Sequence, residues 1–390
     1  MHAMPHEHTH APTDPRPRAS LTGNGDDPRA MVVIFLRGAA DGLAMVAPVE
    51  DDAYHLARPT LGLGRSSGVR LDDQFHLHPE LATLERSFRG GELAIVHAAG
   101  SEDQSRSHFA AQDLMEHGGL VAGGWLGRFL RARADGHAAS ALSAIAIGKT
   151  LPESLRGAPS ATVIESIDDF GLGADAAGYL AGLDALWSLE TGDLGHAARD
   201  TLDAVRRIER LRATPYTPAA GVDYPNTRFG RGLSEIARLI KARVGLEAAT
   251  LDLDGWDSHL AQGSIMDPRL RQLGTGLVAL HHDLGALAAT TTIVVMTEFG
   301  RRVAENASLG TDHGRGSVMF VLGGGTQGGR VIADGADRPW RGLATEHLEG
   351  PGDLPVNNNY RNVLAPLLRR HGATNLEAVF PGWSAKPLAI

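Results

Sequence analysis

Three stretches of the chain end an apolar, β-branched run in acids or imidazoles. They are VVIFLRGAADG with Asp41, ATLDLDGWDSH with Asp254, Asp257 and His259, and TTIVVMTEFGRR with Glu298. A fourth group, Asp312 and His313 in GTDHGRG, lies in a glycine-flanked loop ahead of another apolar run. Carboxylates and imidazoles are the side chains that hold divalent metals such as Zn, Mn or Fe. Ligands of open α/β sheets collect outside the carboxyl ends of the strands. The pattern therefore predicts a metal crevice at the end of a sheet.

A second chemistry is written in SEDQSRSHFAAQDLMEHGG, residues 101–119. A helix is expected to open near Ser107, capped by Ser105 or Ser107. A hydroxyl there sits where an anion is welcome, and a neighbouring metal can activate it to attack phosphorus or sulfur. His108 follows as a ligand, a catalytic residue or only a helix-start residue. Glu116 and His117 are weaker candidates. Arg106 and Arg315 could hold a substrate anion through paired hydrogen bonds. Every one of these residues also has a packing explanation. Asp257 and Asp312 suit turns, Asp41 could pair with Arg37, Glu298 with Arg301 or Arg302, and Ser107 could merely cap.

The elements that must position these groups can be read from the apolar pattern. Strands are expected at 31–36, 92–100, 141–148, 247–253, 291–297, 317–322 and 329–332. Helices are expected within 79–89, from about 107, at 197–213, 230–244, 268–289 and 359–370. Such alternation implies a mainly parallel sheet covered on both faces. Residues 165–230 carry few strand signals and read as a helical insertion, a cap over the sheet. The expected organisation is a His-rich, disordered tail at 1–29, with His2, His6, His8 and His10, then a single α/β domain at 30–390.

Bulk properties narrow the class. The chain has 390 residues, 43% of them hydrophobic, so a sizeable core is possible. A net charge of −9 and 5% aromatic residues argue against a nucleic-acid surface. There is no cysteine, which leaves nitrogen and oxygen as the metal donors. No apolar run approaches a membrane span, and the N-terminus lacks the charged-then-apolar pattern of a secretory signal. The expectation is a soluble, cytoplasmic protein. GGGTQGG (323–329) lacks the Lys-Ser/Thr of a phosphate-binding loop, and GLGRSSG (62–68) follows no convincing strand. No G-x-S-x-G elbow occurs.

Taken together, FLRGAADGL (35–43), RSHFAAQDLMEHG (106–118), GWLGR (124–128), DLDGWDSH (252–259), TEFGRRVAENAS (297–308), GTDHGRGS (310–317), GGRV (328–331) and NYRNVLAPLL (359–368) resemble the DUF1501 family. That family looks like a branch of the alkaline phosphatase-like superfamily of phosphatases, sulfatases and phosphomutases. The resemblance implies an α/β fold, a mainly parallel central sheet with helices on both faces and a helical insertion. It also implies one or two divalent metals and a Ser, Thr or modified Cys nucleophile. By that likeness Asp41 resembles the first-strand ligand and Ser107 the nucleophile. Asp257 and His259 resemble a middle Asp–His pair, here spaced Asp-x-His. Glu298 stands where the superfamily has the Asp of an Asp-His pair, and Phe299 where it has the His. Asp312 and His313 would supply the missing imidazole. Asn359 replaces a frequent Asp and is expected to cap a helix.

The resulting expectation is a metal-dependent enzyme acting on a phosphate, sulfate or related ester. Asp41, Asp257, His259, Glu298, Asp312 and His313 would be ligands, with Ser107 and His108 catalytic. Arg106 and Arg315 would meet a small anionic substrate. No nucleic acid or membrane is expected as partner. An isomerase, a lyase, a non-haem iron oxidoreductase or a non-catalytic binding protein is the alternative on the same scaffold.

Overall fold

A computed structural model describes residues 29–133, 140–169, 176–335, 338–384 and 386–390. The His-rich tail, apart from Arg29, lies outside the described residues. The chain builds a nine-stranded sheet. Its strands are β1 (Ala30–Arg37), β2 (Leu93–Gly100), β3 (Ala144–Ile147), β4 (Thr162–Ile164), β5 (Ala248–Asp254), β6 (Thr291–Thr297), β7 (Ser317–Gly323), β8 (Arg330–Ile332) and β9 (Asn358–Asn359). Their order across the sheet is β8-β2-β7-β6-β1-β5-β3-β4, with β9 alongside β2. Pairing is parallel except at β7, which runs antiparallel to both β2 and β6. The apolar run SVMFVLG carries no sign of strand direction, so this inversion is not readable from the sequence.

The central strand explains the two-faced sheet. Val32, Ile34 and Leu36 of β1 enter one core, while Met31, Val33 and Phe35 enter the other. The first core is closed by α6 (Arg228–Lys241) and α7 (Gln262–Leu284), through residues such as Leu233, Ile236, Leu273 and Leu277. The second is closed by α3 (Trp125–Arg131) and α8 (Tyr360–Arg370), through Trp125, Phe129, Val363 and Leu367. Each such side chain contributes roughly 1.5–3 kcal/mol, against about 0–1 kcal/mol for an exposed ion pair. Apolar alternation, more than surface charge, therefore sets the register.

Two further helices, α4 (Ala176–Trp187) and α5 (Asp193–Arg212), lie between β4 and α6. Arg206 of α5 pairs with Asp184 of α4. Ala204 and Ile208 of α5 pack into the first core. Asn359 caps α8, its side chain accepting from the Arg361 N–H.

Some elements differ from expectation. α7 starts at Gln262 rather than near residue 268 and carries Pro268 inside it. The early start places the buried Gln262 side chain between Asp41 and Thr311, which it bonds at 2.7 and 2.6 Å. The 79–89 segment is a 3-10 turn, Pro79–Leu84, running into a short α-helix, Glu85–Arg89. A small three-stranded sheet, Val46–Ala47, Val69–Arg70 and His76–Leu77, has strands too short to leave a periodic signal. Among the described residues, no helix is long and apolar enough to cross a membrane.

Candidate metal centre

Sheet register brings the chemical groups together. Arg37 lies opposite Asp254 and Leu36 opposite Thr297, so β1, β5 and β6 end at one level. Asp257 and His259 leave β5 there, and Glu298 leaves β6. Because β7 runs the other way, Asp312 and His313 arrive at the same edge before it begins. The helix α2 (His108–His117), which follows β2, brings His108.

Three imidazoles converge here, two of them held by hydrogen bonds at Nδ1. His108 Nδ1 is 2.8 Å from Glu298 Oε1. His313 Nδ1 is 3.0 Å from the Arg106 carbonyl oxygen. His259 Nδ1 is 3.5 Å from Asp312 Oδ1. All three Nε2 atoms point toward Asp257; in the tautomer that donates from Nδ1, each would offer a lone pair there. His259 Nε2 lies 3.1 Å, and His313 Nε2 3.4 Å, from Asp257 Oδ1, and His108 Nε2 lies 3.7 Å from Asp257 Oδ2. Ligand atoms of His108, Asp257 and His313 all fall within 4.8 Å of one another. Phe299 stacks on the His108 ring, 5.1 Å between centroids.

Two buried charged groups fix this arrangement. Glu298 is fully buried. Its Oε1 accepts from Gly38 N–H (2.9 Å), His108 and Gln112 Nε2 (3.0 Å), and its Oε2 from Thr297 Oγ1 (2.9 Å). Burial alone would raise its pKa, but the hydrogen bonds from His108, Gln112 and backbone N–H groups outweigh burial and hold it below the usual carboxylate value. The Glu298 hydrogen bond is the main reason His108 is pushed up. Arg301, 1% exposed, donates to the carbonyls of Ala39, Gly38, Thr311 and Trp256 and, at 2.6 Å, to Asp257 Oδ1. Burial works to raise the Asp257 pKa, and the Arg301 bond overcomes it and leaves the carboxyl below its ordinary value.

The backbone is shaped to permit this. Gly38 has φ +116°, and a Cβ there would stand 2.6 Å from the Asp257 nitrogen. Any side chain would push the Asp257 loop away from β1. Arg106, not a glycine, sits at φ +55° and turns its carbonyl to His313. Held strain of this kind is typical of sites where geometry matters.

The donor set suits a metal ion. His259 Nε2 and His313 Nε2 are 3.0 Å apart. In the tautomer that donates from Nδ1, two lone pairs would face each other there, an arrangement that a proton or a cation relieves. Burial lowers the His313 pKa, with the Arg301 charge acting in the same direction, which disfavours the proton. His108 Nε2 is a buried nitrogen with no hydrogen-bond partner. Three imidazole nitrogens and one carboxylate match the coordination of Zn, Mn or Fe.

The other expected site residues are placed differently. Asp41 is not in the cluster. It is fully buried, caps the short helix α1 (Gly42–Met45), and takes two bonds from Arg58, at 2.6 and 3.1 Å, and one from Gln262. With its oxygens so engaged it has no place for an ion. Its partner is Arg58, not Arg37, which instead pairs with Glu116 and Asp252. Glu298 touches His108 rather than the centre of the cluster, so it orients that ring. Asp312 stands behind His259, and Asn306 Nδ2 also donates to it. Arg106 pairs with the buried Asp353 and Arg315 with Glu349, so each guanidinium already has a carboxylate partner, while the Nε of each has no hydrogen-bond partner. Ser107 is the N-cap position of α2, but its hydroxyl makes no capping bond. Asp254 lies on the rim of a neighbouring cleft of about 670 Å³, lined also by Arg37, Lys149, Arg228 and Asp252. Arg301 and Gln112 were not singled out as site residues, since only the folded loops reveal their partners.

The model of a family of proteins of unknown function, DUF1501, matches residues 124–338, more than half of the chain. No curated protein matches the sequence. The chain is similar to the C-terminal periplasmic domain of EcEptC from Escherichia coli in complex with Zn. Identity is 11%, coverage 93% of this chain and 89% of that one, and the TM-score 0.38. It is also similar to a 2-O GAG sulfatase (12%, covering 93% and 76%, TM-score 0.34). A third likeness is to the alkaline phosphatase of the Antarctic bacterium TAB5 (10%, covering 79% and 95%, TM-score 0.23). At these scores the likenesses support no statement about activity. The match of the family model stands apart from them: the chain belongs to the DUF1501 family.

Proposed function

We propose that the chain is a metal-dependent enzyme that hydrolyses or transfers a phosphate, sulfate or related ester of a small molecule. The observation that carries this reading is the convergence of three imidazoles on the Asp257 carboxylate. His108, Asp257, His259 and His313 would hold the ion. Glu298, Asp312 and the Arg106 carbonyl orient the rings, as outer partners of metal-binding histidines do. The bound metal would supply a Lewis acid that polarises the ester and lowers the pKa of a nucleophile. With Asp41 and Glu298 engaged elsewhere, a single ion fits the remaining donors better than two.

Ser107 is the proposed nucleophile. It precedes His108 in the chain, and its position ahead of the ten-residue α2 places it where helix N–H groups favour an anion. Ser107→Ala is expected to abolish turnover of an aryl phosphate or aryl sulfate while bound metal stays unchanged. Unchanged turnover would remove Ser107 from the mechanism.

A second reading is favoured by the nitrogen-rich, single-ion donor set. It equally suits an isomerase, a lyase or a non-haem iron oxidoreductase. Those reactions need the imidazoles and Asp257 but not Ser107, so the same variant separates the readings. A non-catalytic binding protein would instead show little bound metal.

A further inference from the structure

The His313 ring hangs on a backbone group. Its Nδ1 lies 3.0 Å from the Arg106 carbonyl oxygen. A carbonyl can only accept, so this bond requires the proton on Nδ1 and leaves the Nε2 lone pair for the cluster. At the Nδ1 atoms of the other two rings stand side-chain carboxylates, Glu298 for His108 and Asp312 for His259. The tautomer and direction of His313 therefore depend on what holds the Arg106 backbone.

That backbone is strained. Arg106 has φ +55°, a conformation that costs any residue with a side chain and that glycine adopts freely. Gln104 and Ser105 ahead of it are exposed, so little packing forces the conformation. The Arg106 side chain, however, reaches Asp353, with Nη2 2.5 Å from Oδ2. The Asp353 side chain is fully buried, and its Oδ1 has no hydrogen-bond partner. Among the described residues its ion-pair partner is Arg106. A buried carboxylate bonded on one side is a poor source of stability, so its placement calls for another role.

Asp353 is itself firmly placed. It exchanges backbone bonds with Glu349, donating at 2.8 Å and accepting at 2.9 Å. Val303 N–H donates to the Gly352 carbonyl at 3.1 Å, and Gly316 N–H to the Leu354 carbonyl at 2.8 Å. The residues on both sides of Asp353 are thereby tied to the segments that follow Arg301 and His313.

We propose that Asp353 is a positioning residue. It holds Arg106 by the side chain, keeps the Arg106 carbonyl turned to His313, and so sets the His313 tautomer. The effect on metal binding rests on the metal reading above; the effect on the tautomer does not.

The test is proton–nitrogen NMR of the histidine rings in the full chain at mildly alkaline pH, with the His313 signals assigned by their loss in His313→Ala. The zinc-free native chain is expected to show His313 protonated at Nδ1. Arg106→Ala/Asp353→Asn removes both charges together. It should give mixed tautomers and weaken zinc binding about 10–100-fold, as loss of an outer partner does. Arg106→Gly/Asp353→Asn should recover the native tautomer, and zinc affinity to within about threefold, because glycine holds the left-handed backbone unaided. A merely structural role would not separate glycine from alanine. Circular dichroism checks the fold of each variant. The native tautomer in the alanine variant, or equal loss in both, would overturn the relay. If the alanine variant does not fold, Arg106→Gln replaces it, and an unshifted tautomer there overturns the relay equally. A tautomer shift with unchanged zinc binding would leave the relay standing and remove His313 from the metal site.

Discussion

His259 and His313 face each other Nε2 to Nε2 at 3.0 Å, and the Asp257 Oδ1 lies within 3.1 and 3.4 Å of the two nitrogens. His313 Nδ1 is held 3.0 Å from the Arg106 carbonyl oxygen, and His259 Nδ1 lies 3.5 Å from Asp312 Oδ1. A cation among the two Nε2 atoms and Asp257 would convert the crowding into bonds.

Metal should therefore stabilise the fold. A ligand at a hundredfold excess over its Kd adds about 2.7 kcal/mol. Titration with Zn is expected to raise Tm by a few degrees in the native protein and hardly at all in Asp257→Asn/His313→Ala. A rise of the same size in that variant would place the ion elsewhere.

Glu298→Gln keeps the shape of the side chain but removes the charge facing His108. Loss of such an outer partner typically weakens metal affinity 10–100-fold. Competition against a zinc-sensitive dye should read a loss in that range, with urea unfolding little changed. Loss of metal below detection would make Glu298 itself a ligand.

Asp41 and Arg58 form a bidentate pair with side chains 1% and 0% exposed. Removing one member of a buried pair costs about 3–5 kcal/mol because the other is left charged and unpaired. Arg58→Ala should lower the urea midpoint accordingly. Any Asp41→Asn protein that folds should bind metal as the native chain does. A selective loss of metal there would return Asp41 to the ligand set.

His97 and His371 set an acid limit on stability. Burial is the main cause that lowers His97 to about 4 and His371 to about 3. His97 Nε2 donates to the Val46 carbonyl and its Nδ1 accepts the Ala98 N–H, so both nitrogens are used by the neutral ring. The unfolded chain takes up these protons near pH 6.5 and the folded chain does not. Stability is thus fully present above that pH and falls as pH drops toward 4 and then 3, by a few kcal/mol per residue. Urea midpoints at pH 7.5, 5.5 and 4.5 measure the slope. In His97→Gln the fall should be shallower.

The sheet was legible where strands are mostly apolar or β-branched. VVIFL, LAIVHAAG and TTIVVMT admit little but buried strands, and each ends in the polar residues that face the crevice. The crevice's place followed from this. Individual roles did not. Asp41 and Asp257 both follow a strand, but Arg58 takes the first and Arg301 bridges the second to three other segments. Those partners lie 17 and 44 positions away. Glu298 reads as a ligand because an apolar, β-branched run precedes it, yet His108 comes between it and the centre, from 190 positions earlier. The pairings open to Asp41 with Arg37, and to Glu298 with Arg301 or Arg302, are not formed for a related reason: Arg37 turns to Glu116 and Asp252, Arg301 to Asp257 and Arg302 to Asp312.

The most direct measurement is elemental analysis of the native protein, joined to anomalous diffraction at the metal's absorption edge. The account predicts one transition-metal ion per chain, its peak between His108, His259 and His313 Nε2 and the Asp257 carboxylate. No ion after zinc titration, or a peak at Asp41, would contradict it.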